Sequence, residues 1–419
     1  MNNPTKGTRT AQRITAAAIT VAVLSACGAK VGGEAATTKS CVNTSGNVVK
    51  IGSLNSLSGT MAISEVSVRD AIKLAVKQVN ASGGVLGKQI KIVGEDGASD
   101  PAVFVEKAEK LIRSDCVAAV FGGWTSPSRK AMLPVFERDN SLLYYPVQYE
   151  GLEASRNIFY TGATTNQQIV PALDYLRETK DVKSLYLVGS DSVFSHTSSQ
   201  IIRAYAAQYG LEILGEDYAA FGANDFTTIV NKIKSSKADA VISMINGDSN
   251  VAFYRQYKNA GLIPETTPVM STSIAEEEVK GIGPEYLAGQ LTAWNYFQTL
   301  DSPANREFVR DWKAAYGASR PTSDPVEAAY TSIFLWAASV EKAKSFATDD
   351  VVKAAGGVTF TAPEGDVVID GENHHITKTA LVGAIHDDGL IYKVWNSDEP
   401  IVPDPFLKTY PWAKSLDVG

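Results

Sequence analysis

Short apolar runs alternate with longer amphipathic stretches through most of the chain. Residues 48–54 read as a buried strand. After a Ser58-Gly59 turn, residues 66–80 place Val68, Ile72, Ala75, Val76 and Val79 at helical spacing. A second strand follows at 90–94, and residues 101–113 carry Val103, Ala108, Leu111 and Ile112 through a second helix. The five apolar residues 117–121 stop abruptly at Gly122-Gly123, and Thr125, Ser126 and Pro127 then start another helix. The run 142–145 ends in the same way. Strand–helix–strand alternation predicts a parallel sheet, whose strands share one carboxyl edge, and ligands of doubly wound folds sit outside that edge. Trp124, Ser126, Tyr145 and Tyr149 are therefore expected to line one wall of a site.

The alternation restarts after a crossing at 157–162. A helix at 167–177 leads into strands at 184–188, 211–218, 240–245 and 269–272. Two alternating units of similar size predict an α/β fold with two doubly wound parallel-sheet lobes. Residues 291–297 are a strand returning toward the first lobe, and 303–316 and 325–342 are helices. Residues 358–394 are broken by Glu364-Gly365-Asp366 and Asp387-Asp388-Gly389, which suits antiparallel hairpins. The expected first lobe comprises 47–160 and 297–345, and the second 161–296 and 346–419. Crossings are expected near 157–166, 291–297 and 346–357.

The amino end adds an address. Lys6, Arg9 and Arg13 precede an apolar run at 14–24 that is too short to span a bilayer, the pattern of a signal peptide over residues 1–26. It closes on Leu24-Ser25-Ala26-Cys27, which resembles a bacterial lipobox and points to lipidation of Cys27. Residues 27–46, rich in Gly, Ala, Thr and Ser, fit a flexible tether to a membrane surface. Without the leader, 36 of the 39 basic groups remain against 46 acidic ones, a net charge of −10 that disfavours nucleic acid as a partner. An exported compartment permits a bridge between the two remaining thiols, Cys41 and Cys116, which precede neighbouring strands. His196, His374, His375 and His386 are too scattered for a metal site, and no cofactor is expected.

Several phrases carry a family resemblance: Tyr144-Tyr145-Pro146-Val147-Gln148-Tyr149-Glu150-Gly151, Asn246-Gly247-Asp248-Ser249-Asn250, Ala275-Glu276-Glu277-Glu278, Ala293-Trp294-Asn295-Tyr296-Phe297, and the stretch from Asp324-Pro325 through Tyr330. From residue 50 to about 407 the chain resembles type I periplasmic binding proteins of the branched-chain amino-acid and amide type, most closely the urea-binding component of ABC transporters. The resemblance implies two lobes joined by three crossovers, a ligand cleft between them, and delivery of solute to permease subunits. It also places the positions of Trp124, Ser126 and Tyr145 at the ligand. Relatives usually carry tyrosine where this chain has Ser192 and proline where it has Ser195, so one aromatic wall is missing from the second lobe.

Urea and short amides are planar, with one carbonyl acceptor and several N–H donors, so a selective site needs donors, acceptors and flat surfaces. Ser126 has a hydroxyl and a helix-start N–H to offer, Tyr145 and Tyr149 phenolic oxygens, and Trp124 a stacking face. Thr125, Gln148, Ser192 and Phe194 complete the expected lining, and Glu276 is a further candidate acceptor of ligand N–H. Plainer roles are open for the same residues: Ser126 as a helix cap, Trp124 and Tyr145 as core, Gln148 and Tyr149 as loop stiffeners, and Glu276 in a solvated helix start. Branched-chain amino-acid binding on the same fold and a ligand-sensing receptor are the alternative functions. An exported amidohydrolase lacks a recognisable nucleophile or metal arrangement in the sequence.

Overall fold

A computed structural model describes residues 41–416. The expected signal peptide, the lipidation site Cys27 and most of the tether lie outside the described residues. The first half of the chain builds β1 (Val48–Asn55), α1 (Ala62–Ala81), β2 (Gln89–Asp96), α2 (Pro101–Arg113), β3 (Val120–Gly122), α3 (Ser126–Arg138), β4 (Leu143–Tyr145) and β5 (Ile158–Tyr160). All five strands run parallel, in the order β2-β1-β3-β4-β5. Local chemistry sets the helix starts: Asp100 caps α2 by accepting from the N–H groups of Ala102 and Val103, with Pro101 opening the helix and Lys110 and Arg113 in its last turn.

After α4 (Ile169–Asp174) the alternation resumes with β6 (Ser184–Ser190), α5 (Val193–Tyr209), β7 (Glu212–Ala219), α6 (Thr227–Ser236), β8 (Ala240–Met244), α7 (Ser249–Asn259), β9 (Val269–Ser271), α8 (Glu276–Ile282), α9 (Pro284–Leu287) and β10 (Leu291–Trp294). The chain continues through α10 (Pro303–Tyr316), α11 (Asp324–Ala343), α12 (Thr348–Ala355), the hairpin β11 (Thr359–Ala362) and β12 (Gly365–Val368), and finally β13 (Leu381–Ile385) and β14 (Ile391–Asn396). The second sheet has the order β14-β13-β10-β9-β8-β6-β7, in which β13 alone runs against the rest and pairs antiparallel with both β10 and β14. Side chains alternate across it: Leu185 and Leu187 of β6 enter one core, and Tyr186 and Val188 the other.

The observed packing moves one expected boundary. Residues 346–376 were expected in the second lobe, but Phe346, Val351, Ala355, Val358, Val367 and Ile376 are buried in the same core as β1 and β3. Helix α12 lies along α11, which itself packs on α1. The third passage between the sheets therefore falls at 377–380, just before β13, and not at 346–357. Antiparallel hairpins form where Glu364-Gly365 and Asp388-Gly389 predicted them, although the second pair extends the large sheet. Cys41 and Cys116 are bonded, their Cα atoms 5.3 Å apart, because the neighbouring parallel strands that follow them begin on one side.

Candidate functional site

The edge where β3 ends is shaped by glycine. Gly122 and Gly123 have φ of 128° and 81°, and a Cβ on Gly122 would lie 2.1 Å from the Leu54 carbonyl oxygen, so only glycine lets the chain turn there. The turn delivers Trp124 to the edge and hands the chain to α3. Thr125 caps this helix, its hydroxyl accepting from the Ser128 N–H at 3.2 Å. Val147 and Gln148 arrive from the loop after β4. Facing them from the second sheet are Ser192, at the start of α5, and Phe194 in its first turn. Phe221 and Asn246, from the loops after β7 and β8, complete the lining.

These residues enclose about 10 Å³, room for one water-sized body. No acidic or basic side chain lines the space. Three side-chain atoms in its wall are buried without a hydrogen-bond partner: the indole Nε1 of Trp124, Oε1 of Gln148 and the hydroxyl of Ser192. One is a donor, one an acceptor and one can be either. Ser192 occupies the cap position of α5, yet its hydroxyl makes no capping bond. Buried polar groups are rarely left unpaired, so such a convergence marks a place where polarity is held ready for something else. The amino ends of α3 and α5 both meet here, adding partial positive charge that suits a carbonyl oxygen.

The structure brings together Trp124, Thr125, Ser126, Gln148, Ser192 and Phe194 of the residues singled out above, and separates three others. The Tyr145 hydroxyl donates to the Trp124 carbonyl. The Tyr149 hydroxyl lies 2.6 Å from Nε2 of His375 and 2.8 Å from the Glu153 carbonyl. Both rings thus stand behind the cavity, with their hydroxyls already spent. Glu276 is remote from it, fully buried at the start of α8, where it accepts from the Gln298 N–H at 2.8 Å, and burial pushes its carboxyl well above the usual range. The aromatic surface expected to be missing from the second sheet is supplied by Phe194 and Phe221.

Ser126 opens α3 and does not cap it, and its hydroxyl is committed. It donates to Glu150 and accepts from Nη1 of Arg129 at 3.0 Å. Arg129, wholly buried, is the hub behind the wall: Nη2 reaches Glu150 at 3.0 Å, Nε reaches Glu153 at 2.7 Å, and the guanidinium lies 4.4 Å from the Tyr149 ring centroid. Burial alone would raise the Glu153 pKa, but the charge and hydrogen bonds of Arg129, helped by Lys130 and Tyr160, hold it at about 2. Burial pulls His375 down to about 3, so its ring is neutral. Ser126→Ala is consequently expected to cost about 1–3 kcal/mol of folding stability by leaving parts of Glu150 and Arg129 unpaired, read as a lower denaturation midpoint.

Sequence reading missed Arg129, Phe221 and Asn246. Within Ser126-Pro127-Ser128-Arg129-Lys130 an arginine reads as surface, and the other two come from loops far along the chain. Asn246 stands in one of the phrases that carried the family resemblance, which was the available signal.

The chain belongs to the periplasmic binding protein family: a model described as a periplasmic binding protein domain matches residues 49–411. Leu/Ile/Val-binding protein homolog 6 of Brucella melitensis biotype 1 is 26% identical, covering 83% of this chain and 90% of its own. Among solved structures, a solute binding protein of an ABC transporter from Rhodopseudomonas palustris BisB5, in complex with 3,4-dihydroxy benzoic acid, matches with a TM-score of 0.78 at 22% identity, covering 85% of this chain and 99% of that one. The branched-chain amino acid transporter substrate binding protein of Streptococcus pneumoniae, in complex with isoleucine, matches with a TM-score of 0.73, also at 22% identity, covering 84% and 99%. The type I periplasmic binding fold expected from the sequence is thereby shown.

Proposed function

We propose that this chain is an extracytoplasmic solute-binding protein that captures a small neutral amide, urea or a short-chain amide, between its two sheets and passes it to the permease subunits of an ABC transporter. The observation that carries the reading is the cavity: uncharged lining, unpaired donor and acceptor atoms from both sheets, and almost no spare volume. A four-heavy-atom planar solute suits it when the sheets part slightly and close around it. Closure is a hinge motion about the three passages between the lobes, and lipid on Cys27 supplies the membrane tether.

A second reading, branched-chain amino-acid binding, is supported by the names of some relatives, while another is in complex with an aromatic acid. It would require an anionic group for the ligand ammonium. Glu150 is the nearest candidate behind the wall, and both its oxygens already engage Ser126 and Arg129. The family is one of binding proteins, and nothing in the wall is arranged as an activated nucleophile.

Calorimetry with urea, acetamide, leucine and 4-hydroxybenzoate separates the readings. At about −1.5 kcal/mol per heavy atom, urea is limited to a dissociation constant of order tens of micromolar. Binding of urea or acetamide near that value, with no heat from leucine, is the expected result. Leucine binding with urea inert would transfer the assignment to the second reading.

A further inference from the structure

We infer that Gln148 determines ligand selectivity by presenting an acceptor whose direction is set from the opposite sheet, so that recognition of a ligand N–H and closure of the two sheets run through one side chain. The inference rests on the proposed capture of a ligand between the sheets.

Gln148 belongs to the loop after β4 of the five-stranded sheet, and its Nε2 donates at 2.8 Å to the carbonyl oxygen of Thr272, just past β9 of the seven-stranded sheet. A carbonyl oxygen only accepts, so the amide must turn its nitrogen toward Thr272 and its oxygen away. That oxygen is buried, has no partner, and belongs to a residue lining the cavity. Thr272 is itself firmly placed: its N–H donates to the Ser243 carbonyl at 3.0 Å, and its carbonyl takes a second glutamine amide, from Gln168, at 3.2 Å. Thr272 therefore acts as a fixed post. When the sheets separate, Gln148 loses the post and its amide is free to rotate, offering ligand either a donor or an acceptor. When they meet, only the acceptor remains. A ligand without an N–H or O–H donor would then leave Oε1 buried and unpaired, which is where discrimination arises.

Urea, acetamide and acetone test this, being planar and nearly equal in size but carrying four, two and no N–H groups. Calorimetry of the full chain should show wild type binding acetamide at least tenfold more tightly than acetone. In Gln148→Met, which keeps the length and removes both polar atoms, the gap should shrink to less than about threefold. Gln148→Glu keeps a ligand-facing oxygen but cannot donate to Thr272 as a carboxylate, so urea should weaken by tenfold or more; this variant also serves where the methionine variant does not fold. An unchanged acetamide–acetone gap in Gln148→Met, or Gln148→Glu binding urea as wild type does, overturns the inference. If leucine and not the amides binds wild type, the amide reading fails on that result alone. Gln148 is then judged by whether Gln148→Met weakens leucine, whose ammonium also brings N–H donors, by tenfold.

Discussion

Raising the pH from 6.5 to 8 is expected to lower the folding stability by several kcal/mol. Glu65 in α1 and Glu277 at the start of α8 are fully buried, and burial, only partly offset by hydrogen bonds from Ser56 to the first and from Ser323 to the second, pushes each carboxyl up to about 8. Glu364 reaches about 7, again through burial, although the ammonium of Lys378 at 2.6 Å opposes it. In the unfolded chain all three ionise near 4.5. Above that pH the folded state holds more protons than the unfolded one, so stability declines as pH rises until the folded values are passed. His374 and His375, pulled down by burial, act in the opposite sense, mainly below the unfolded histidine value of 6.5 and by only about 0.4 kcal/mol each above it. Between 6.5 and 8 the carboxyls dominate, and 1.5 pH units at about 1.4 kcal/mol each give roughly 2 kcal/mol for Glu65 and as much for Glu277. Denaturant midpoints at the two pH values check this. Glu65→Gln, which keeps an acceptor for the Ser56 N–H, should remove its share of the decline. A stability that is flat or rises over this window would contradict the account.

The second large effect concerns the hub behind the cavity wall. Arg129→Met removes the one buried cation that neutralises Glu150 and Glu153, and breaking a buried ion pair from one side typically costs about 3–5 kcal/mol because the remaining charge stays buried. Lys130 touches Glu153 at 3.2 Å but is substantially exposed and does not reach Glu150, so it replaces little of the loss. The melting temperature of Arg129→Met should fall by about 4–6 °C, taking an unfolding entropy of about 2.1 cal/mol/K per residue, or about 1.2 °C per kcal/mol for a chain of this length. Adding Glu150→Gln and Glu153→Gln to the same chain should recover much of it, since neutral amides do not need the guanidinium charge. A single variant that melts within a degree or two of wild type would show the pair to be dispensable.

The two predictions describe opposite solutions to buried charge. Beside Arg129, Glu153 is kept ionised by a cation with good geometry. At Glu65 and Glu277 burial outweighs every opposing contact, and the carboxyls are pushed up to about 8. The Arg129 group stands behind the cavity wall, whose own lining carries no acidic or basic side chain and is fit for a neutral solute.

Much of this architecture was determined by sequence alone. Continuous apolar runs such as 184–188 mark strands buried on both faces, helical runs such as 101–113 state which face must be buried, and their alternation leaves parallel sheets as the way to bury them. The Gly122-Gly123 stop, followed by a helix start, located the site edge, because a positive-φ turn at a strand end has a local signature. Where local signals ended, the tertiary structure decided. Thr125 and Ser126 are chemically alike as caps, and only the placement of Glu150 and Arg129 makes one a cap and the other a buried link. Tyr145 and Tyr149 have the hydroxyls a ligand would want, but their acceptors, the Trp124 carbonyl and the Glu153–His375 pair, are set by packing across β3, β4 and the stretch after β12. Residues 346–376 carry no mark of which core they join, since an amphipathic helix such as α12 buries its face against any apolar partner, and its partner is α11. The cavity itself, with Trp124 and Gln148 on one side and Ser192, Phe194 and Phe221 on the other, exists only when two sheets built from distant segments come together, and no periodicity within either segment encodes that meeting.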